Sequence, residues 1–162
     1  MLGRCNLVNS LRNKFFYYYT TMETRERLVL REEFDHSDIF LVEGHPILII
    51  KASDTYIPIE EFKKLFAKAT EVVQEQSIQK VIFDKRRLKV FHQPSMEWYY
   101  VHWKNALLDH GMKSHRKLLP SDPVFQKNVS LGKAKIMEKH PHLRVGKMDI
   151  QYADTLQEAI DQ

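Results

Sequence analysis

The sequence predicts an α/β domain with a mostly parallel sheet and an antiparallel N-terminal hairpin strand, in the order β-β-α-β-α-β-α-β-α. Three observations carry that expectation. Short β-rich runs alternate with longer segments whose apolar residues recur at spacings of three and four, as strands joined by crossover helices do. Between Gln79 and Gly111 an unbroken apolar run, Val81-Ile82-Phe83, leads through a basic loop (Lys85 to Gln93) into an aromatic-rich helix opening at Pro94. Apolar residues without alternation fit a strand covered on both faces, the usual state of a parallel strand. A strand feeding a helix leaves their loop at the carboxyl end of the sheet, where open α/β folds bind ligands.

From Met22 onward the elements follow in order. Arg27 to Phe34 holds apolar residues at 28, 29, 30 and 34, a pattern that fits a weak strand or a short helix. Ile39 to Val42 and Ile47 to Ala52 are β-rich runs around Glu43-Gly44-His45-Pro46. Glycine there supplies the positive φ of a tight turn, so the two runs should pair antiparallel. A first helix begins at Pro58, with Glu60 and Glu61 in the turn where the helix dipole favours acids. Ile59, Phe62, Leu65, Phe66, Ala69, Val72 and Val73 line one face of it, and it should end near Ser77. The central strand, Lys80 to Asp84, comes next.

The second helix should stop at Gly111, a natural residue just past a helix end. Arg116 to Leu119 reads as a strand. Asp122-Pro123 supplies an N-cap and a first-turn proline for a third helix running to about Lys139. Gly132 weakens that helix by roughly 1 kcal/mol relative to alanine. Lys147 to Ala153 is the last strand, and Thr155 to Glu158 forms a capping box for a final helix.

A length of 162 residues with 43% hydrophobic and 28% charged residues suits one globular domain with a sizeable core, here residues 22–162. The single cysteine, Cys5, excludes a disulfide framework and a thiolate metal cluster. No apolar run approaches the roughly 20 residues that span a bilayer, so the expected compartment is the cytoplasm. The formal charge of +4 is misleading, because residues 1–21 carry Arg4, Arg12 and Lys14 and no acid. Without those three, the 25 basic residues fall nearly level with the 21 acidic ones. A nucleic-acid reader needs a domain-level excess, and only the 85–89 loop is dense in cations, so nucleic acid is not an expected partner.

Residues 1–21 stand apart, as either a disordered extension or a misassigned start. The segment lacks a continuous apolar core and a small-residue cleavage site, so it is no clean signal peptide. Arg and Ser without acids would suit a transit peptide. Its Asn, Lys, Phe and Tyr also match AT-rich codons read in frame upstream of a true start at Met22, and composition favours that second origin.

The order of elements, the strand ending in Asp84 before a long loop, and the closing stretch from Met148 to Ala159 together resemble the SpoIIAA-like group. That group holds the STAS domains (sulfate transporter and anti-sigma-factor antagonist) and lipid-binding CRAL-TRIO-type relatives. The resemblance covers roughly residues 37–162. It implies a small sheet-and-helix domain that binds a protein, or an apolar or anionic ligand, and performs no chemistry. STAS antagonists carry an Asp-Ser-Ser-Gly type motif at the start of the helix after the central strand, with a phosphorylated serine. This chain has Gln93-Pro94-Ser95-Met96 there, so Ser95 has the position without the flanking Asp and Gly.

Chemistry-bearing residues are few. None of the eight histidines forms an HExxH motif, and no metal or cofactor is expected. No GxSxG, GxxxxGKS or GxGxxG occurs, and no nucleophile–base pair or acid pair can be named, so catalysis is not expected. Asp84, Arg86 and Arg87, beside the positive N-terminus of the second helix, could form an anion-binding lip. The plainer alternative is an Asp84 tied to loop N–H groups beside solvated cations.

The second helix has two apolar stripes. Met96, Tyr100, Trp103 and Leu107 make one, with Tyr99 and Ala106 beside it, while Trp98, Val101, Asn105 and Leu108 make another. One sheet needs only one stripe, so the second is covered by a neighbouring helix, a partner subunit or a ligand. Two functions follow. The first is a non-catalytic STAS-like regulatory module binding a protein partner or a second copy through this helix. The alternative is a carrier of a small apolar or amphiphilic ligand.

Overall fold

Seven strands lie in chain order across one sheet in the computed structural model, which describes residues 17–19 and 22–162. They are β1 (Tyr17–Tyr19), β2 (Leu28–Glu33), β3 (Ser37–Val42), β4 (Ile47–Ala52), β5 (Lys80–Asp84), β6 (Ser114–Leu118) and β7 (Asp149–Tyr152). Strands β1 to β4 pair antiparallel, and β4 to β7 pair parallel. The α/β class is as expected, but the sheet is evenly mixed rather than mostly parallel. The reason is β2. The Leu28-Val29-Leu30 run that local pattern leaves between strand and helix is held as a strand by pairing with β3, across a register shift between Leu30 and Glu32. Pairing partners override weak propensity. Of the segment set apart by composition, Tyr17–Tyr19 pair with β2, and the rest lies outside the described residues.

Gly44 takes φ 77° in the turn between β3 and β4, so the antiparallel hairpin forms where the sequence places it. Helices then carry the chain between parallel neighbours. α1 (Ile59–Glu75) buries Phe62, Leu65, Phe66, Ala69, Val72 and Val73, the stripe its spacing dictates. α2 runs over 93–110, and α3 (Pro123–Lys139) starts at Asp122, whose side chain accepts a hydrogen bond from the Val124 N–H at 2.9 Å. These three helices share one core with one face of the sheet. α4 (Leu156–Asp161) covers the opposite face with Leu156, Ala159 and Ile160, against Ile49, Ile82 and Leu118. Thr155 caps α4 by accepting from the Glu158 N–H at 3.1 Å, and the Glu158 carboxylate accepts from the Asp154 N–H at 2.9 Å.

Gly132 has a packing reason to sit mid-helix. A Cβ there would lie 2.5 Å from Gln93 Oε1 and 3.1 Å from Met96 Sδ, so glycine lets α3 approach α2 closely. Strand β6 starts two residues before its expected Arg116. Strand β7 is shorter than expected, because Val145–Lys147 coil into a 3₁₀ turn ahead of it.

Candidate functional site

α2 is not a uniform helix. Gln93–Trp98 is α-helical, Tyr99–Lys104 is a π turn, Asn105–Leu107 returns to α and Leu108–His110 closes as 3₁₀ before Gly111 at φ 78°. A π turn bonds to the fifth residue instead of the fourth and is often found at functional positions. The wider turn brings adjacent pairs inward, so Tyr99 with Tyr100 and Trp103 with Lys104 are all buried. Lys104, four residues after Tyr100, lies on the same buried face as the Met96, Tyr100, Trp103 and Leu107 stripe.

Strand β6 meets this helix from below. Alternation along the strand sends His115 and Lys117 toward α2, and Arg116 and Leu118 toward α4. His115 Nδ1 donates to the Val81 carbonyl at 2.8 Å, which leaves Nε2 to accept from the Tyr99 hydroxyl. Burial and the neighbouring lysines hold the His115 imidazole neutral, well below its usual pKa. Trp103 stacks on Tyr99 with ring centroids 5.2 Å apart, and Phe66 meets both edge-on.

Three lysines sit in this aromatic layer. Lys85, Lys104 and Lys117 are 1%, 0% and 1% exposed. Lys117 Nζ donates to the Tyr100 hydroxyl at 3.1 Å and lies 5.3 Å from the centre of the Tyr100 ring and 5.5 Å from that of Tyr152. Lys104 Nζ lies 4.2 Å from the Tyr100 ring centre and 4.7 Å from that of Tyr99. Among the described residues its one polar neighbour is the Lys117 amine, which bonds it at most weakly. Lys85, directly after β5, places Nζ 4.8 Å from the Phe91 ring centre. Burial pushes all three amines down: Lys85 and Lys104 well below the usual range, with repulsion from Lys117 second, and Lys117 to about 8, where a hydrogen bond with Lys104 partly offsets the burial. Among the described residues, the charges that act on these amines are other lysines, Lys133 of α3 included, and none is a carboxylate. Contacts with ring faces return only about 0.5–2 kcal/mol each. Taking an ammonium out of water costs several.

The residues singled out from sequence lie elsewhere or are already engaged. Asp84 is buried on the α4 side of β5. It accepts from the Arg86 N–H at 3.1 Å and pairs with the Arg86 guanidinium at 2.9 and 2.7 Å. Arg86 also reaches Glu23 at 3.1 Å, so it is spent on two acids, and the exposed Arg87 has no such lip to complete. Face parity explains the misplacement: Asp84 continues the alternation of Ile82, away from α2. Ser95 is 1% exposed and shares a hydrogen bond of 3.2 Å with His92 Nδ1. Trp98 is half-buried, with its ring edge-on to Phe62 of α1 at 6.3 Å. Asn105 of the same stripe accepts from the Arg144 N–H at 3.2 Å, so the second stripe is met largely by its own domain.

Sequence reasoning named Lys85 only as part of a basic loop and passed over Lys104, Lys117 and His115. One signal was present: His115-Arg116-Lys117 is three basic residues running through a strand with helices on both faces, where charge is seldom buried.

Fold and site together define an α/β domain with a mixed sheet and a buried cluster of lysines under its second helix. Comparison of the chain with protein-family models, curated proteins and solved structures finds no match. No helix among the described residues is long and apolar enough to cross a membrane, and no group of three or more His, Cys, Asp or Glu among them could hold a metal ion.

Proposed function

We propose that this domain is a non-catalytic binding module that carries a small amphiphilic ligand, its anionic head beside Lys104 and Lys117 beneath α2. The observation that carries this reading is the Lys104 amine, fully buried, with other lysine amines and no carboxylate around it among the described residues. An isolated buried charge is costly, and a carboxylate or phosphate would give these amines the counter-charge they lack among the described residues. Tyr99, Tyr100 and Trp103 are buried against one another, so the apolar part of such a ligand would reach their rings only if α2 parts from the sheet. The STAS-like regulatory reading has weaker support, because Ser95 is enclosed and Trp98 packs against α1.

Tryptophan fluorescence during titration with octanoate or octyl phosphate tests the reading, since Trp103 stacks on the site's own Tyr99. The expected result is a saturable change in wild type. Replacing Lys117 by methionine should weaken binding at least tenfold, because one charge-assisted hydrogen bond is worth about 1.5–3 kcal/mol. No saturable response to either amphiphile would overturn it.

A further inference from the structure

The chain reverses between β2 and β3 at Phe34-Asp35-His36, and ionisable groups meet that turn on both faces of the sheet. On the α1 side, the Glu61 carboxylate accepts from the His36 N–H at 2.9 Å and from the Ser37 hydroxyl at 3.1 Å, and its second oxygen meets His36 Nδ1 at 2.7 Å. On the α4 side, Asp38 stands directly opposite Glu33 of β2 and, on its other flank, opposite Lys51 of β4. Lys51 turns its amine to Glu23 at 3.5 Å instead, and Arg86 is committed to Asp84 and Glu23. Half-buried Asp38 is left with no hydrogen bond or ion pair among the described residues. We propose that this turn is a clasp that tightens in mild acid and loosens toward alkaline pH, and so sets how firmly the β1–β2 edge is held to the rest of the sheet. The clasp needs no ligand and stands apart from the site under α2.

Both faces respond to protons in the same direction. Like charges directly opposite each other across an antiparallel pair repel. Burial first, and Glu33 second, raise the Asp38 carboxyl to about 6, with Glu61 adding to the rise and Lys51 opposing it. An unfolded aspartate holds its proton only to about 3.9. The folded chain therefore binds the additional proton between those values, and that share of stability is lost as pH rises through them. On the other face, the hydrogen bond to Glu61 raises the His36 imidazole above its usual value against a smaller effect of desolvation, and the Glu61, Asp54 and Asp35 charges add to the rise. Protonated His36 turns its contact with Glu61 into an ion pair, which is lost as pH rises through the folded imidazole's value. Acid thus removes a repulsion on one face and strengthens an attraction on the other.

Hydrogen–deuterium exchange of the full chain, read by mass spectrometry on peptides spanning residues 27–42, measures how often this turn opens. Rates at pH 5 and pH 7.5 are corrected for intrinsic chemical exchange. The Asp38 shift alone corresponds to about tenfold between those conditions; its half-exposure screens part of that, and His36 restores part. Protection is therefore expected to be about tenfold higher at pH 5 in wild type, and the difference to shrink to about threefold or less in Asp38→Asn, where only His36 responds. Equal protection at the two pH values in wild type, or a difference that Asp38→Asn leaves intact, overturns the clasp. Should Asp38→Asn fail to fold, Glu33→Gln, at an exposed position, decides in its place: it should shrink the difference, and an undiminished one overturns the clasp.

Discussion

On the α4 side of β5 and β6, Asp84 meets Arg86 and Arg116 meets Asp149 at 2.8 Å. On the α2 side, Lys85, Lys104 and Lys117 meet aromatic rings and one another. Both sets flank β5 and β6 of the same sheet. The first set has carboxylates and backbone carbonyls for its cations: Arg116 also donates to the Asp149 and Gln162 carbonyls, at 3.0 and 3.2 Å. That face is structural, with its charges settled within the chain. The second set has hydroxyls and π faces only, so its charge is left for something else to balance. On the proposed reading, the face whose amines lack carboxylates binds the ligand, and the face with charges of both signs braces the fold.

The largest effect should come from the aromatic floor on which the lysines rest. Trp103→Ala should cost about 3–5 kcal/mol in a denaturant melt, through the cavity it leaves against Phe66 and Tyr99. Trp98→Ala, at a half-buried ring, should cost clearly less. Equal losses would mean that Trp98 is as central to the core as Trp103.

The two charged faces should respond with opposite signs. Asp84→Ala leaves Arg86 without its buried partner and should destabilise by roughly 2–4 kcal/mol. Lys117→Met removes an uncompensated cation and should stabilise the unliganded protein by roughly 1–3 kcal/mol at pH 7, while weakening ligand binding at least tenfold. The pH dependence follows the same logic. The folded Lys117 loses its proton near pH 8 while the unfolded lysine keeps its own to about 10.4, so the unfolded state binds more protons between those values. Stability should therefore rise across that window, by up to about 1.4 kcal/mol per pH unit for one lysine, and Lys117→Met should flatten the rise. A melt series from pH 7 to 10 reads this directly, and a wild type that loses stability over the same range would count against the unpaired cluster.

The smallest effect concerns how closely α3 is drawn over the site. Gly132→Ala gains helix propensity but drives a methyl group against Gln93 and Met96, so a net loss of about 1 kcal/mol is expected from thermal melts. A net gain would show that α3 has room to move from α2.

Local signals in the sequence sufficed for much of this fold. The Val81-Ile82-Phe83 run located β5 to the residue, and Asp122-Pro123 located the start of α3, because capping and burial leave their mark on neighbouring residues. Strand β2 was undecided because its identity depends on pairing with β3 rather than on its own residues. The site was hardly legible. Lys104 follows Tyr100 by four and so shares its buried face, but it becomes notable only beside Lys117 and Lys133, which lie on other elements. Asp84 and its arginines drew notice because they were adjacent in sequence, and adjacency is what lets them neutralise each other.

The central claim is that the α2-side amines await an anion, and its most direct measurement is proton uptake on binding. Octanoate should be titrated calorimetrically at pH 8 in two buffers of different ionisation enthalpy. A bound carboxylate favours the ammonium form of Lys85, Lys104 and Lys117, with Lys133 nearby, whereas burial keeps the Tyr99 and Tyr100 hydroxyls protonated throughout. The expected result is net uptake of protons, visible as heats that differ between the buffers, and its disappearance in Lys104→Met with Lys117→Met. Binding without uptake, or with release, would contradict the account.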